Sequence, residues 1–449
     1  MTFLASLFKI ALPIIVQNFL SSFVNMIDNV MVGQLGSTDI AAVGLGNQIF
    51  FVMNIVMFGI VSGGSVFISQ YWGKRDLEGI HRTMGITITG SLVVSILFFC
   101  AAFFAPEFCM KIYSKDPLVI SKGAEYLRYV APGYIFFGAG FAFSMAARST
   151  EHVFLPMIAT GISVLLNAIL NYFFIFGLNF QGKVILEPMG IVGAAIATDI
   201  ARAVEFLIII IVVYGKKFEI ASTPSRYFKP QKGFLWHYIV IALPVLVNES
   251  LWGTGASLQQ AIYGHAGTSM VAASNITSTI SNLVWTFFIG CGNAAAILIG
   301  KKIGEGEETE ARKLANQLTK FMILAGAVLG LLLIPLSFLL KYLFKVEPEV
   351  LHMAKVMLYI AALLYPLWSI NMIIVVGVCR SGGDTIVGMI IDIGFMWLIS
   401  LPLGFIAVTV WKLPYWAVYL CVQSEHIFKS TMGLIRLKSG KWLHNVTIS

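Results

Sequence analysis

Long apolar segments alternate with short polar ones along the whole chain. The first six lie at about 7–31, 46–71, 83–105, 123–147, 154–178 and 189–214, and six more at about 237–263, 269–300, 314–343, 350–379, 385–410 and 413–436. Each is roughly 20 residues or longer, which is enough to cross the hydrocarbon core of a bilayer as a helix. An irregular backbone facing lipid would leave amide groups without partners, so these segments are predicted to be helical. The pattern therefore predicts an all-α integral membrane protein with twelve transmembrane helices.

The two sets of six segments are copies of one pattern. Ala11–Leu12–Pro13 recurs 231 residues later as Ala242–Leu243–Pro244, and Gly33 recurs as Gly264. Because six is an even number, the second copy enters the membrane in the same sense as the first. We therefore predict two pseudo-symmetric six-helix lobes, related by an axis along the membrane normal, with a cavity between them.

Polar and basic stretches mark the predicted domain boundaries. We expect an N-terminal lobe at 1–214, a cytoplasmic linker at 215–236, a C-terminal lobe at 237–436 and a cytoplasmic tail at 437–449. With the N-terminus inside, the inside loops hold about twice as many Lys and Arg residues as the outside loops, which is the usual bias of cytoplasmic loops. Both termini are therefore predicted to be cytoplasmic. The start of the chain lacks the features of a cleavable signal peptide, so the first helix is expected to be retained.

Composition removes several classes of function. Hydrophobic residues make up 58% of the chain and charged residues 12%, whereas soluble domains carry about 25% charged residues. The loops account for the net charge of +8, so nucleic acid is not an expected partner. Metalloprotease, nucleophile-elbow and phosphate-loop motifs are absent, and the five cysteines are scattered without metal-ligand spacing. We expect no enzyme activity and no cofactor, and membrane lipid as the surroundings.

A polar stripe runs along the first predicted helix. Its members recur at spacings of three and four residues, which places them on one helical face, and they are Asn18, Ser21, Ser22, Asn25, Asp28 and Asn29. A carboxylate inside a span costs about 2.5–3.5 kcal/mol on insertion scales, so it needs a cavity, a partner or a proton. At the repeat offset Asp28 corresponds to the neutral Gln259, and Asn18 corresponds to Glu249. Asp28 is therefore the leading candidate for function, and a structural anchor between helices is the alternative.

Matching polar groups occur on the fifth and sixth predicted helices. Asn167 and Asn171 lie one turn apart on one face, and Thr198 adds a hydroxyl. Amide oxygens are hard ligands that suit Na⁺ and also accept hydrogen bonds from a protonated acid. With Asp28 these residues are predicted to form a cation or proton site in the first lobe. A polar cluster that only packs helices together is the alternative.

Other ionisable residues within spans are expected to pair. Asp199, Arg202 and Glu205 follow at intervals of three, and Glu425 and Lys429 are four apart. Opposite charges at these spacings lie on neighbouring turns of a helix and can form ion pairs. A structural role is the favoured interpretation for both groups.

The second lobe carries acids at other positions. Glu249 and Gln260 are eleven residues apart, about three turns on one face, and Asp392 lies about two turns into the eleventh span. Either acid can be functional or can be neutralised by a neighbouring basic residue. Because Gln259 replaces the acid of the first copy, we interpret the second lobe as the neutral half of the repeat, which mainly shapes the cavity.

At this point the chain resembles the multidrug and toxic compound extrusion (MATE) transporters. The matching stretches occur in the right order through almost the whole chain, and they are Ala11–Pro13, Met26–Gly36, Asn171–Gly177, Gly193–Thr198, Cys379–Asp384, Trp397–Gly404 and Ser439–Trp442. The resemblance implies a secondary active transporter that exports cationic or amphipathic compounds by antiport with H⁺ or Na⁺ through alternating access. It also implies a monomer in the cell (inner or plasma) membrane.

The resemblance assigns roles to the first-lobe residues. The family's principal coupling acid matches Asp28, and its first-lobe cation site matches Asn167, Asn171 and Thr198. Some members carry Asp at the position of Asn171, so this chain has one negative charge fewer there. Whether the coupling ion is H⁺ or Na⁺ stays open.

The second lobe departs from the NorM-like pattern. The NorM acids of the tenth and seventh helices fall at Ser369 and near Trp252, while the neighbouring tyrosine matches Tyr365. The DinF-like pattern, with coupling on the first-lobe acid, fits better. The candidate second-lobe polar site consists of Glu249, Gln260, Tyr365 and Asp392.

One alternative function remains, a lipid-linked oligosaccharide flippase of a related class. Such a protein is expected to hold pyrophosphate with several Arg or Lys residues in its cavity. Basic residues inside the predicted spans are few, so efflux is the preferred prediction.

Overall fold

A computed structural model describes residues 3–180, 183–229, 233–344 and 346–447. Residues 230–232 of the predicted linker and 448–449 of the predicted tail therefore lie outside the described residues. The backbone of Asn25 is described, but the side chain of this member of the predicted polar stripe is not.

Helices form almost all of the described chain. In chain order they are α1 (Phe3–Gly33), α2 (Ser37–Lys74), α3 (Leu77–Phe104), α4 (Pro106–Lys111), α5 (Pro117–Ser149), α6 (Phe154–Phe176), α7 (Gly190–Gly215), α8 (Pro224–Tyr227), α9 (Phe234–Ala266), α10 (Thr268–Gly304), α11 (Glu308–Leu336), α12 (Leu340–Leu343), α13 (Pro348–Met372), α14 (Thr385–Phe395), α15 (Leu401–Thr409), α16 (Tyr415–Gln423) and α17 (Glu425–Ser439). A 3₁₀ turn at Ser337–Leu339 joins α11 to α12, and π-helical stretches at Ile373–Cys379 and Met396–Ser400 follow α13 and α14.

A small hairpin is an addition to the expected all-helical architecture. Strands β1 (Leu178–Phe180) and β2 (Lys183–Leu186) pair antiparallel between α6 and α7, with Phe180 opposite Lys183 and an irregular register beside Leu178. The hairpin pairs backbone groups in a connection, where no helix is available to satisfy them.

Ten helical segments of the described chain are long and apolar enough to cross a membrane. Helix α7 is also long, at 26 residues, but Asp199, Arg202 and Glu205 reduce its apolar character. The last pass is divided at Ser424 into α16 and α17, of 9 and 15 residues. Helix α7 and this divided last pass bring the ten segments to the expected twelve passes. The predicted all-α membrane fold is confirmed.

By their packing, the described helices divide into two units. The N unit comprises Leu12–Ile68 and Arg75–Tyr238, and the C unit comprises Ser69–Lys74, the chain from Ile239 onward, and its beginning up to Ala11. These limits fall inside α1, α2 and α9, whereas the predicted domain limits lie at the ends of the predicted apolar segments.

The core of the N unit is formed by apolar side chains from several helices. Val32, Met53, Met57 and Met110 are among its fully or almost fully buried members. Gly193 of α7 meets the backbone of Phe174 in α6, where a Cβ atom would overlap. Helix packing in a membrane relies on van der Waals contact, so small residues at such crossings let the backbones approach closely.

The C unit includes the last described residues of the chain. Gln70 is fully buried, and its side chain donates to the carbonyl oxygens of Ser381 and His444 at 2.8 and 3.1 Å and accepts from the amide of Val446 at 2.8 Å. Trp442 is fully buried as well. Residues 442–447 are therefore part of the packed C unit.

Candidate functional site

The four residues predicted for the first lobe form one chain of hydrogen bonds across α1, α6 and α7. Asn171 Nδ2 donates to Asp28 Oδ1 at 2.5 Å and to Asn167 Oδ1 at 3.2 Å. Asn167 Nδ2 donates to the hydroxyl of Thr198 at 3.3 Å, and this hydroxyl donates to the Ala194 carbonyl at 2.9 Å. The N unit thus brings Asp28, Asn167, Asn171 and Thr198 together.

Helical periodicity explains why α6 presents these groups. Its buried positions include Thr160, Ser163, Asn167 and Asn171, which recur every three or four residues on one face. The remaining faces of α6 are largely apolar and exposed, as expected for a helix in lipid. The polar face of α6 therefore points into the N unit, where α1 and α7 supply its partners.

An unpaired oxygen lies beside the Asp28 carboxylate. Asn171 is fully buried, and its Oδ1 atom has no hydrogen-bond partner among the described residues. A buried carbonyl oxygen without a partner is costly unless a ligand or a proton donor satisfies it. Together with the carboxylate of Asp28 it offers hard oxygen atoms to Na⁺, or a hydrogen-bond acceptor to a protonated acid. The donor set therefore fits either coupling ion.

The predicted polar stripe of α1 is only partly enclosed. Asp28 is half-buried, whereas Ser21, Ser22 and Asn29 are exposed. Gln17, which the stripe did not include, is buried at 6% exposure. The enclosed polar positions of α1 therefore run from Gln17 to Asp28.

A second polar network in the N unit was not predicted. The buried Arg148 of α5 donates to the side-chain oxygen of Gln17, and Gln17 Nε2 donates to the Thr160 hydroxyl at 2.8 Å. Thr160 in turn donates to Glu205 at 2.6 Å, and Arg202 pairs with Glu205 at 3.1 Å. Arg148 stands near the end of its helix in the sequence, so no periodicity linked it to Gln17, 131 residues away.

The predicted pairing on α7 therefore holds for two of its three charges. The third, Asp199, lies against Gly133 of α5, where any larger side chain would collide with its carboxylate. One of its carboxylate oxygens is buried and lacks a hydrogen-bond partner among the described residues.

The four candidates of the second lobe do not join into one cluster in the C unit. Glu249 pairs with the buried Arg380. Gln260 accepts from Ser274 at 3.1 Å, and the Tyr365 hydroxyl donates to Ser281 at 2.9 Å.

The fourth candidate, Asp392, belongs to a charged cluster. The ammonium of Lys429 lies 2.9 Å from Asp392 Oδ1 and 3.0 Å from Glu425 Oε2, so the expected pairing of Glu425 with Lys429 is present and extends to Asp392. Gln259 donates to Glu425 at 3.2 Å and to Ser400 at 2.9 Å. The counterpart of the Asp28 position is itself neutral, but it contacts a buried ion pair.

The MatE family model matches residues 13–173 and 249–406, one stretch in each half of the repeat. The chain is 24% identical over 439 residues to the probable multidrug resistance protein NorM of Thermotoga maritima, covering 97% of this chain and 92% of that protein. It is also 24% identical over 397 residues to the probable multidrug resistance protein YoeA of Bacillus subtilis, covering 88% and 84% of the two chains.

A solved structure shows the same fold. A mutant of the Vibrio cholerae MATE transporter VcmN superimposes with a TM-score of 0.89 at 19% identity, covering 100% of this chain and 99% of that chain. The predicted MATE-type architecture is therefore confirmed. Because the family model matches well over half of the 449 residues, this protein belongs to the MatE family of membrane transporters.

Proposed function

We propose that this protein exports cationic or amphipathic compounds across the plasma membrane by antiport with H⁺ or Na⁺. The observation that carries the proposal is the half-buried Asp28 carboxylate, held by Asn171 in a hydrogen-bonded chain that links α1, α6 and α7. The two relatives named as probable multidrug resistance proteins support the substrate class.

One change of charge is sufficient for coupling. Binding of H⁺ or Na⁺ at Asp28 neutralises the carboxylate and changes its hydrogen bond with Asn171. The ion binds more tightly to the conformation whose surroundings suit the neutral group better, so its binding free energy differs between the inward-open and outward-open conformations. Such a difference shifts the population between inward-open and outward-open states. A cationic substrate that is attracted by the same negative charge is released when the ion enters.

The placement of the chain in the membrane is part of the same proposal. Both termini lie in the cytoplasm and the protein acts as a monomer, with lobes at 1–214 and 237–436, a linker at 215–236 and a tail at 437–449. The excess of Lys and Arg in the inside loops supports this orientation.

Transport by the purified protein in liposomes tests the proposal. Efflux of ethidium is measured with a pH gradient alone and with a Na⁺ gradient alone, for wild type and Asp28→Asn. We expect one of the two gradients to drive efflux by the wild type, and neither to drive efflux by Asp28→Asn, because an amide cannot change charge. Efflux by Asp28→Asn at the wild-type rate would exclude Asp28 as the coupling residue.

Asp39→Asn is the matched control. Its carboxylate also lies in the N unit, but it pairs with Lys122 at 2.7 Å near the start of α2. We expect this variant to retain ion-driven efflux. The relatives named above give no support to the alternative function as a flippase. Flippase activity is measured in the same liposomes with a fluorescent lipid-linked oligosaccharide in place of ethidium.

A further inference from the structure

Three charged side chains are buried together in the C unit. Lys429 and Glu425 of α17 have 3% and 4% of their side-chain surface exposed, and Asp392 of α14 has 18%. Two carboxylates and one ammonium leave a net charge of −1. An uncompensated charge in a low-dielectric interior is costly, and one more positive charge would neutralise these three groups.

Asn248 of α9 completes the surroundings of Asp392. Its Nδ2 atom donates to Asp392 Oδ2 at 3.1 Å, the residue is only 3% exposed, and its Oδ1 atom has no hydrogen-bond partner among the described residues. An amide serves both states of a carboxyl group, because Nδ2 donates to the carboxylate and, after a half-turn, Oδ1 accepts from the acid. The unpaired oxygen is therefore the acceptor that a protonated Asp392 needs.

The arrangement around Asp392 is the reciprocal of that around Asp28. In the N unit the acid is on the first helix of the repeat and the amide, Asn171, is on the fifth. In the C unit the amide, Asn248, is on the first helix and the acid is on the fifth. In both units the amide donates to the carboxylate, and its buried carbonyl oxygen has no hydrogen-bond partner within the described part of the chain. The two halves thus contain the same pair of groups with the helices exchanged.

We propose that Asp392 is a proton-binding site of this transporter, separate from the ion site at Asp28, and that it takes up one proton beside the Glu425–Lys429 ion pair and turns the Asn248 amide. This inference rests on the proposed function only in that the bound proton contributes to ion coupling. Uptake of the proton by Asp392 brings the net charge of the cluster to zero and gives the Asn248 oxygen a donor.

The hydrogen-bond partners favour a proton over Na⁺ and Asp392 over Glu425. An acid proton needs one acceptor oxygen, which Asn248 supplies, whereas Lys429 already occupies Asp392 Oδ1 at 2.9 Å, where a metal ion would have to bind. Lys429 and Gln259 both donate to the carboxylate of Glu425, and the amide with the unpaired oxygen contacts Asp392. The imidazole of His426 lies 3.9 Å from Glu425, beyond hydrogen-bond distance.

Infrared difference spectra of the purified protein in lipid, recorded during a pH titration, report protonated carboxylic acids directly. We expect Asp28→Asn to retain a pH-dependent carboxylic acid band that disappears in Asp28→Asn/Asp392→Asn. If Asp392→Asn has the same pH-dependent bands as the wild type, the proposal is wrong. Loss of the retained band in Asp28→Asn/Glu425→Gln but not in Asp28→Asn/Asp392→Asn would also overturn it.

Two control variants separate loss of the Asp392 carboxyl group from general damage to the C unit. Asp384→Asn is matched, because Arg436 holds that buried carboxylate with two hydrogen bonds at 2.7 and 2.9 Å, and we expect the retained band to persist. Asn248→Leu keeps the carboxyl group but removes its acceptor, so the band should shift in frequency even if Asp392→Asn does not fold.

A titration with NaCl at constant pH distinguishes the two ions. We expect no change in the Asp392 band, and its loss on addition of Na⁺ would overturn the proton assignment. Failure of Asp28→Asn to impair ethidium efflux would remove the proposed coupling role of Asp28, while the Asp392 band would still decide this proposal.

Discussion

Replacing Lys429 by Met is expected to destabilise the C unit strongly. The substitution removes the ammonium that lies 2.9 Å from Asp392 and 3.0 Å from Glu425 and leaves two carboxylates in a buried cluster. A hydrogen bond to a charged group contributes about 1.5–3 kcal/mol, and removing one partner of a buried ion pair costs about 3–5 kcal/mol. We expect the free energy of unfolding to fall by about 3–5 kcal/mol, since both carboxylates lose the same partner.

The double variant Lys429→Met/Glu425→Gln tests the cause of this loss. It returns the cluster to the wild-type net charge of −1, so we expect it to recover at least about 2 kcal/mol of the single variant's loss, within the usual range of coupling energies between neighbours. Lys438→Met, an exposed lysine on the same helix, is the matched control and should change stability by less than about 0.5 kcal/mol.

Equilibrium unfolding in mixed micelles, followed by fluorescence of the nine tryptophans, measures all of these variants. A Lys429→Met variant as stable as Lys438→Met would refute the reasoning. So would a double variant less stable than Lys429→Met, because the loss would then come from packing and not from charge.

Two further predictions concern a buried glutamine and the coupling site. Gln70→Leu removes three hydrogen bonds to backbone groups, at about 1 kcal/mol each, so the free energy of unfolding should fall by about 3 kcal/mol. Gln48→Leu, which replaces an exposed glutamine on the same helix, should be as stable as the wild type. Equal stability of the two variants would contradict the prediction. Asn171→Asp places a second carboxylate beside Asp28. If Na⁺ is the coupling ion, this carboxylate attracts it by about 4 kcal/mol at an effective dielectric constant near 20. The half-saturating Na⁺ concentration for efflux should therefore fall at least about tenfold. Asn18→Asp makes the same change of charge on α1, ten residues from Asp28, and should have a smaller effect. An Asn171→Asp variant with unchanged or weaker Na⁺ dependence would show that position 171 does not contact the ion.

Much of the fold follows from local properties of the sequence. The length and apolar character of the segments led to twelve passes, because a bilayer imposes both the span length and the helical backbone. The same pattern did not indicate the hairpin between α6 and α7, the division of the last pass at Ser424, or the π-helical stretches. The hairpin depends on backbone pairing in a connection, and the other two features depend on how a helix packs against its neighbours. Neither property can be read from the hydrophobicity of a segment.

The N-unit site was predicted more fully than the C-unit cluster. Asp28, Asn167, Asn171 and Thr198 were chosen from residue type, helical spacing and family resemblance, and the structure joins them by hydrogen bonds. The unpaired oxygen of Asn171 was not predictable, because it depends on which atom of the amide faces the carboxylate.

Residue spacing along the chain is enough to predict the repeat, the membrane passes and the faces on which polar residues stand, because a spacing of three or four residues is a property of one helix. It also determined the pairing of Glu425 with Lys429, which are one turn apart. The folded chain was needed to show that Asp392 joins this pair, that Gln259 contacts it, and that one oxygen of Asn248 has no hydrogen-bond partner among the described residues. These contacts join helices far apart in the chain, and they depend on the rotation of each helix against its neighbours, which side-chain packing sets.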